Sequence, residues 1–327
     1  MDKKYDITAL GELLIDFTPS GHADTGSALF ACNPGGAPGN MLTAVSRQGG
    51  KAAFIGKVGH DSFGYLLKDT IAKESIDTSG LVFDDECRTT LAFVTLDDTG
   101  NRSFAFFRNP GADIMLQADE VDENLIRDSR IFHFGSLSCT HEPARSATRF
   151  ALEKAKEFGV TISYDPNLRL PLWKDAETAR ETILEFMPYA DIVKISEEEF
   201  EFLTGEKDYE KHSKAFAEQY GISLLLVTLG PAGAYYYSAD KANHLFTYDA
   251  QVVDTTGSGD AFMGAVLGQI CQLDTDIADL SALQLDAIVD FGNASGSLAS
   301  TVKGGIPSIP TTAQIRDCQK NIPLLEM

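Results

Sequence analysis

The sequence predicts an α/β protein: a mostly parallel sheet covered by helices on both faces, with a smaller sheet attached. Three observations carry that prediction. Short apolar, β-branched runs alternate with helical patterns. No fixed-period repeat, low-complexity tract or Pro/Ser-rich linker divides the chain. Two hairpin-like segments, 5–33 and 87–109, interrupt the alternation. Strands and helices in turn imply parallel pairing with helices on both sides, which hairpins do not fit. With 327 residues, 43% of them hydrophobic, the chain can bury one large core. It therefore reads as a single domain over 1–327, with a small sheet built from about 5–33 and 87–113.

Taken in order, residues 5–33 give a strand-like run, a Gly-rich turn and "ALFACNPGG", and "AAFIGKVG" (52–59) reads as a strand. "CRTTLAFVTLDDTGNRSFAFFR" (87–108) has a hairpin pattern with "DDTGN" at its turn. "IFHFGS" (131–136) is a strand. "EPARSATRFALEKAKEFG" (142–159) is an amphipathic helix closed by a glycine. "VTISYD" (160–165), "ADIVKIS" (190–196) and "SLLLVTLG" (223–230) are apolar, branched runs, as strands covered on both faces would be.

Charge excludes some partners. Lys plus Arg number 27 and Asp plus Glu 48, a formal net charge of −21. Such a surface repels nucleic acid and anionic lipid, although a local cluster of backbone N–H groups can still bind a small anion. Five widely spaced cysteines without a C-x-x-C predict reduced thiols in a cytoplasmic protein. Asp6, Glu12 and Asp16 break the N-terminal apolar stretch, which argues against a signal peptide, and no 18-residue apolar run predicts a membrane span.

Ligands of an open parallel sheet bind beyond the C-terminal strand ends. The segments that follow three strands there are "DPNLR", "SEEEF" and "LGPAG", polar or glycine-rich as a rim would be. "NPGGAPGN" (33–40) fixes a turn before the helical run "MLTAVSRQG". Asn40 there either caps that helix or hydrogen-bonds a polyol, and the glycine pair favours close approach by a ligand. "DTTGSGDAF" (254–262) sets a glycine loop before the apolar run "DAFMGAVLGQIC". A helix starting there would aim its first N–H groups, and the positive end of its dipole, into the loop. Gly257, Ser258 and Gly259 would then cradle developing negative charge while Asp260 accepts a proton, a pairing suited to phosphoryl transfer to a hydroxyl. The chain lacks G-x-x-x-x-G-K-[ST], a G-x-G-x-x-G after the first strand, H-E-x-x-H and G-x-S-x-G, so P-loop, dinucleotide and hydrolase templates find no support.

The ordered pair "GGAPGN" and "DTTGSGDAF", about 220 residues apart, resembles the two signatures of ribokinase-like, PfkB-type sugar kinases. "GELLIDF", "FRNPGADIML", "DPNLRLPLW", "KISEEEFEFLTG", "VTLGPAGA" and "GGIPSIP" look like the fructokinase branch, so the resemblance covers nearly the whole chain. It implies a three-layer α/β/α core with a β-sheet lid. It also implies transfer of the γ-phosphoryl of ATP to the 6-hydroxyl of fructose, with Mg²⁺. Asp260 matches the family's base, and Gly257, Ser258 and Gly259 its anion hole. Asp16, Gly35, Gly36 and Asn40 match sugar positions, with Arg108 and Arg169 near the sugar or the phosphate. Thr228, Gly230 and Gly233 match the nucleotide loop, and Asn293 falls near the adenine. Glu199 matches an acid that holds Mg²⁺ through water, with Ser196 where relatives carry Asn. Asp254 and the carbonyls of Thr256, Val302 and Gly304 match a K⁺ site. Pairing of two lids into a homodimer is a further implication. Other kinases of the superfamily, a non-catalytic sugar-binding regulator and a dehydrogenase are the competing readings. The intact Asp260 opposes the regulator and the missing dinucleotide fingerprint opposes the dehydrogenase.

Overall fold

The computed structural model describes residues 3–96, 102–273 and 275–325. Its strands are β1 (Tyr5–Leu10), β2 (Leu14–His22), β3 (Ala28–Gly35), β4 (Ala52–Gly59), β5 (Asp77–Asp84), β6 (Leu91–Leu96), β7 (Arg102–Phe107), β8 (Ser129–Gly135), β9 (Thr161–Asp165), β10 (Ile192–Ser196), β11 (Leu224–Thr228), β12 (Ala234–Ser238) and β13 (Lys241–Leu245). The helices are α1 (Ala37–Arg47), α2 (Ser62–Lys73), α3 (Glu123–Arg127), α4 (Ala144–Glu157), α5 (Ala176–Phe186), α6 (Glu197–Thr204), α7 (Tyr209–Tyr220), α8 (Ser258–Cys271), α9 (Ala282–Ala299) and α10 (Thr312–Asn321).

Nine strands form the large sheet in the order β13-β12-β11-β10-β9-β8-β1-β4-β5. Pairing is parallel from β5 to β11, and β12 and β13 add antiparallel at one edge. Side-chain alternation splits this sheet into two buried faces. Phe132, Tyr164, Val193, Ile195 and Leu225 pack into one cluster with α4–α7. Ile131, Ile192, Leu224 and Leu226 pack into the other with α1, α2, α8 and α9. The fold is thus the three-layer α/β/α arrangement, because the inner strands bury both of their faces. Gly159, at φ 62°, ends α4 in the left-handed conformation that the sequence predicts for a closing glycine.

A four-stranded sheet, β3-β2-β6-β7, stands apart. Strands β6 and β7 pair antiparallel, as the hairpin pattern predicts, while the "DDTGN" turn lies outside the described residues. The first segment needs correction. Residues 5–33 do not all enter the small sheet: Tyr5–Leu10 pairs with β4 and β8 inside the large one, and only β2 and β3 reach the small one. The reason is burial. Ile7, Ala9 and Leu10 are fully enclosed, which a strand of an outlying sheet cannot achieve. Gly11 to Leu13 therefore cross from one sheet to the other.

Candidate active site

A cleft of about 800 Å³ opens where the small sheet faces the C-terminal ends of the large sheet's strands. Its walls come from β2 and β3, the first turn of α1, the segments after β9 and β10, the last residue of β11, and the 255–260 loop. Two of the three segments read as a rim contribute, with Asn167–Arg169 from one and Ser196, Glu198 and Glu199 from the other, whereas "LGPAG" supplies no lining residue and only Thr228, at the end of β11, reaches the cleft there.

The glycine loop behaves as its composition predicts. Gly257 sits at the N-cap of α8 with φ 79°, and a Cβ there would come within 3.3 Å of the Gly305 Cα. Glycine is required for both reasons. The first-turn N–H groups of α8 have no carbonyl one turn back, so they face the cleft with the positive end of the dipole. Ser258 differs in one respect: its N–H donates to the Thr255 carbonyl at 3.2 Å, which closes the turn. Asp260 lies in that first turn, and its Oδ2 accepts from Asn40 Nδ2 at 2.8 Å. Burial in the cleft pushes the Asp260 carboxyl up to about 6, helped by nearby Asp165. The Asn40 bond, Lys194 and Arg169 pull the other way.

Asn40 is not a cap. Helix α1 begins at Ala37, four residues before the run that predicts it, and the Asn40 N–H already bonds Gly36. Pro38 is tolerated because a first-turn N–H has no intrahelical partner. Gly36 is the N-cap at φ 118°, and a Cβ there would lie 2.3 Å from the Glu12 carbonyl oxygen. The cap lacks a side chain, and Glu12 Oε1 supplies one from a distance by accepting from Ala37 N at 3.0 Å. Asp16 projects from β2 into the cleft beside Gly35, whose Cβ would lie 2.9 Å from Asp16 Oδ2. Burial raises both acids to about 7. Arg108 lowers Glu12 in part, and Arg169 lowers Asp16, against the push of Asp260 and Asp254.

Arg169 lines the exposed rim. Arg108 does not reach the cleft. It is 8% exposed, and its guanidinium binds Asp113 at 2.5 Å and donates to Thr140 Oγ1 and the Leu137 carbonyl. A buried guanidinium needs such partners, and here they hold it behind the wall. Thr228 lines the cleft, whereas Gly230 and Gly233 form the turn after β11. Asn293 is 4% exposed and spends its amide on the carbonyls of Leu245 and Phe246. It fastens the end of β13 and does not line the cleft.

Two expected metal positions take shape differently. Glu199 accepts from Leu168 N and Ser196 N, and Ser196 Oγ accepts in turn from Glu199 N, a capping box at the start of α6. Burial pushes Glu199 up while Lys194 pulls it down. With backbone groups on both oxygens, this carboxylate suits water-mediated contact to an ion held mainly by phosphates. Asp254 accepts from Thr256 N at 2.9 Å and Gly304 N at 3.1 Å, so it ties the glycine loop to the 302–305 turn, where Val302 also sits. Among the described residues no group of three or more His, Cys, Asp or Glu forms a ready metal cluster. An ion at Asp254 would depend on backbone carbonyls, which suits a monovalent cation.

Sequence reasoning passed over Glu12, Asn33, Asp165 and Lys194. The signals were present: an acid ending the run "VTISYD", and a lysine inside the apolar run "ADIVKIS".

A glycine loop at a helix N-terminus, a carboxylate in its first turn and a second sheet over the strand ends define a phosphotransferase acting on a small polyol. The model of the pfkB family carbohydrate kinases matches residues 4–312, and the chain belongs to that family. It is 46% identical over 315 residues to Fructokinase-1 of Zea mays, covering 94% of this chain and 96% of the relative. Among solved structures it resembles the fructokinase of Xylella fastidiosa with bound ATP (TM-score 0.87, 31% identity, 96% and 98% of the chains). It also resembles a double mutant of the Vibrio cholerae O395 fructokinase holding fructose, ADP and a potassium ion (TM-score 0.87, 32% identity, 98% and 99%).

Proposed function

We propose that this kinase phosphorylates D-fructose at its 6-hydroxyl, giving fructose 6-phosphate and ADP. The observation that carries the chemistry is Asp260 at the α8 N-terminus, its Oδ2 held by Asn40. The hydroxyl oxygen forms a bond to the γ-phosphorus, and the bond from that phosphorus to the β-bridging oxygen breaks. ADP leaves with the electron pair, and the hydroxyl proton passes to Asp260. The glycine loop receives the charge of the phosphoryl oxygens. Asp16, the Gly35–Gly36 backbone and Asn40 orient the sugar, with Arg169 at the rim. Thr228 borders the nucleotide end, with Gly230, Gly233 and Asn293 shaping the ground behind it.

Mg²⁺ would accompany ATP near Glu199 through water and neutralise phosphate charge. K⁺ would lie by Asp254 with the carbonyls of Thr256, Val302 and Gly304. The outer face of the small sheet carries Phe17 stacked on Phe93 at 4.7 Å, with Phe30 and Phe107 edge-on to Phe93. Phe107 is 63% exposed. A face of this kind supports a homodimer through the lid, which scattering mass in solution tests. Five unpaired cysteines support a place in the cytoplasm, and among the described residues no helix is long and apolar enough to cross a membrane.

A coupled ADP-release assay over fructose, ribose, 2-keto-3-deoxygluconate and adenosine tests the substrate, with kcat/KM highest for fructose as the expected result. A higher value for another acceptor would move the chain to a different branch of the family.

A further inference from the structure

The cleft that must take a polyanionic nucleotide holds few positive charges. The cations among its lining side chains are Arg169 and Lys194, against Glu12, Asp16, Glu198, Glu199 and Asp260 on the same walls. Arg169 is exposed and donates to the Leu168 carbonyl beside it. Lys194 is 6% exposed and comes from the middle of β10.

Its direction follows from alternation. Val193 and Ile195 face the α4–α7 layer, so Lys194 faces the α8 layer together with Ile192. There Nζ donates to Asp165 Oδ2 at 2.9 Å. A Cβ built on Gly259 would lie 3.0 Å from Lys194 Nζ and 3.6 Å from its Cε. The ammonium therefore rests against the backbone of the glycine loop, one residue from Asp260, in the space that a side chain at 259 would fill. Asp165 uses one of its three N–H donors. An ammonium buried in an apolar strand is costly, and a single buried ion pair is weak as a device for stability. Its position beside the anion loop accounts for it better.

We propose that Lys194 is a catalytic residue whose ammonium, aimed by Asp165, contacts the phosphoryl group as it moves from ADP to the sugar. This rests on the reading that the 257–259 loop cradles that group. Lys194 forms no covalent bond and gives up no proton. It balances the charge on the equatorial oxygens, in a place where the loop's N–H groups supply only partial charges and the Ser258 N–H is already engaged.

The test uses the full chain with fructose and ATP-Mg²⁺. Lys194→Gln keeps a donor for Asp165 but removes the charge. Lys194→Met with Asp165→Leu removes both members of the pair. Both variants are expected to lose about 100-fold or more in kcat, the scale of a lost oxyanion donor, with the fructose KM within about threefold of the parent. The double variant is expected to recover thermal stability relative to Lys194→Met alone, yet to remain slow. Lys194→Arg is expected to regain part of the rate that Gln loses. If Lys194→Gln or the folded double variant turns over within about fivefold of the parent, the proposal is overturned and the pair is structural. Asp260→Asn separates the two readings. If it stays active, the reading of Asp260 as the base beside this loop fails, and with it the premise that the loop holds the transferring group. If it is inactive while Lys194→Gln is active, only the role of Lys194 fails.

Discussion

Asn40 Nδ2 lies 2.8 Å from Asp260 Oδ2, although 220 residues separate the two in the chain. The bond joins the first turn of α1 to the first turn of α8, and those helices pack side by side. An amide donor favours the ionised carboxylate, so the residue that touches the proposed base also keeps it able to accept a proton.

Asn40→Ala should therefore move the acid limb of the kcat profile upward in pH. Asp260 must be ionised to act, and its carboxyl is held at about 6 with the Asn40 bond pulling down. Removing that bond raises the value, so activity is lost at a higher pH as acid is added. A pH–rate profile from 5 to 8 checks this, and an unmoved limb would deny the coupling.

Asp260→Asn should abolish turnover by several orders of magnitude yet raise the Tm at pH 8. A carboxyl whose folded value is raised from about 4 to about 6 favours the folded state fully only below about 4. That contribution is lost as the pH rises through 6, so at pH 8 the ionised group opposes folding. Thermal melts of both proteins should differ at pH 8 and converge near pH 4.

Gly257→Ala should cost roughly 1–2 kcal/mol of stability for the left-handed backbone alone, at φ 79°. The added methyl also presses on Gly305, so kcat should fall with it. Denaturant melts and ADP release measure the two effects separately.

Arg108→Ala should act on folding before it acts on sugar affinity. It leaves Asp113 buried without its cation, with the Thr90 hydroxyl still donating to it, which costs about 3–5 kcal/mol, whereas Arg108→Met with Asp113→Leu should cost much less. A fructose KM unchanged in the double variant is the expected result. A large rise would return Arg108 to the sugar site.

Asp254→Ala should weaken activation by K⁺ over Na⁺ and loosen the loop, because both of its oxygens also hold backbone N–H groups. Initial rates over a K⁺ series, with melts alongside, report the two losses.

Readability in the sequence followed the range of the interactions involved. Strands such as "SLLLVTLG" announce themselves because both faces are apolar, and the glycine loop because its backbone admits few other residues. Which sheet takes Tyr5–Leu10 is settled by partners more than 40 residues away, at Ala52–Ile55 and Ser129–Phe134, and no local pattern reports it. A cap was one of two readings of Asn40, because the glycines and prolines before it read as a turn, and only the bond from the Asn40 N–H to the Gly36 carbonyl shows that the helix has already begun. Arg108 looked like a ligand because its partners Asp113, Thr140 and Leu137 show only in three dimensions. Lys194 was visible as an odd charge in an apolar strand, but its purpose needed Gly259 beside it.

The position of β1 carries a consequence for synthesis. Strand β1 is made before β4 and β8 yet sits deep inside the large sheet between them, and its β8 side cannot close until Ser129–Gly135 has been synthesised. The proposed base arrives later still, on α8. Nascent chains should thus be inert until α8 has been made. In refolding, the return of kinase activity should lag behind helix formation, because it reports the slowest and most distant pairings in the molecule.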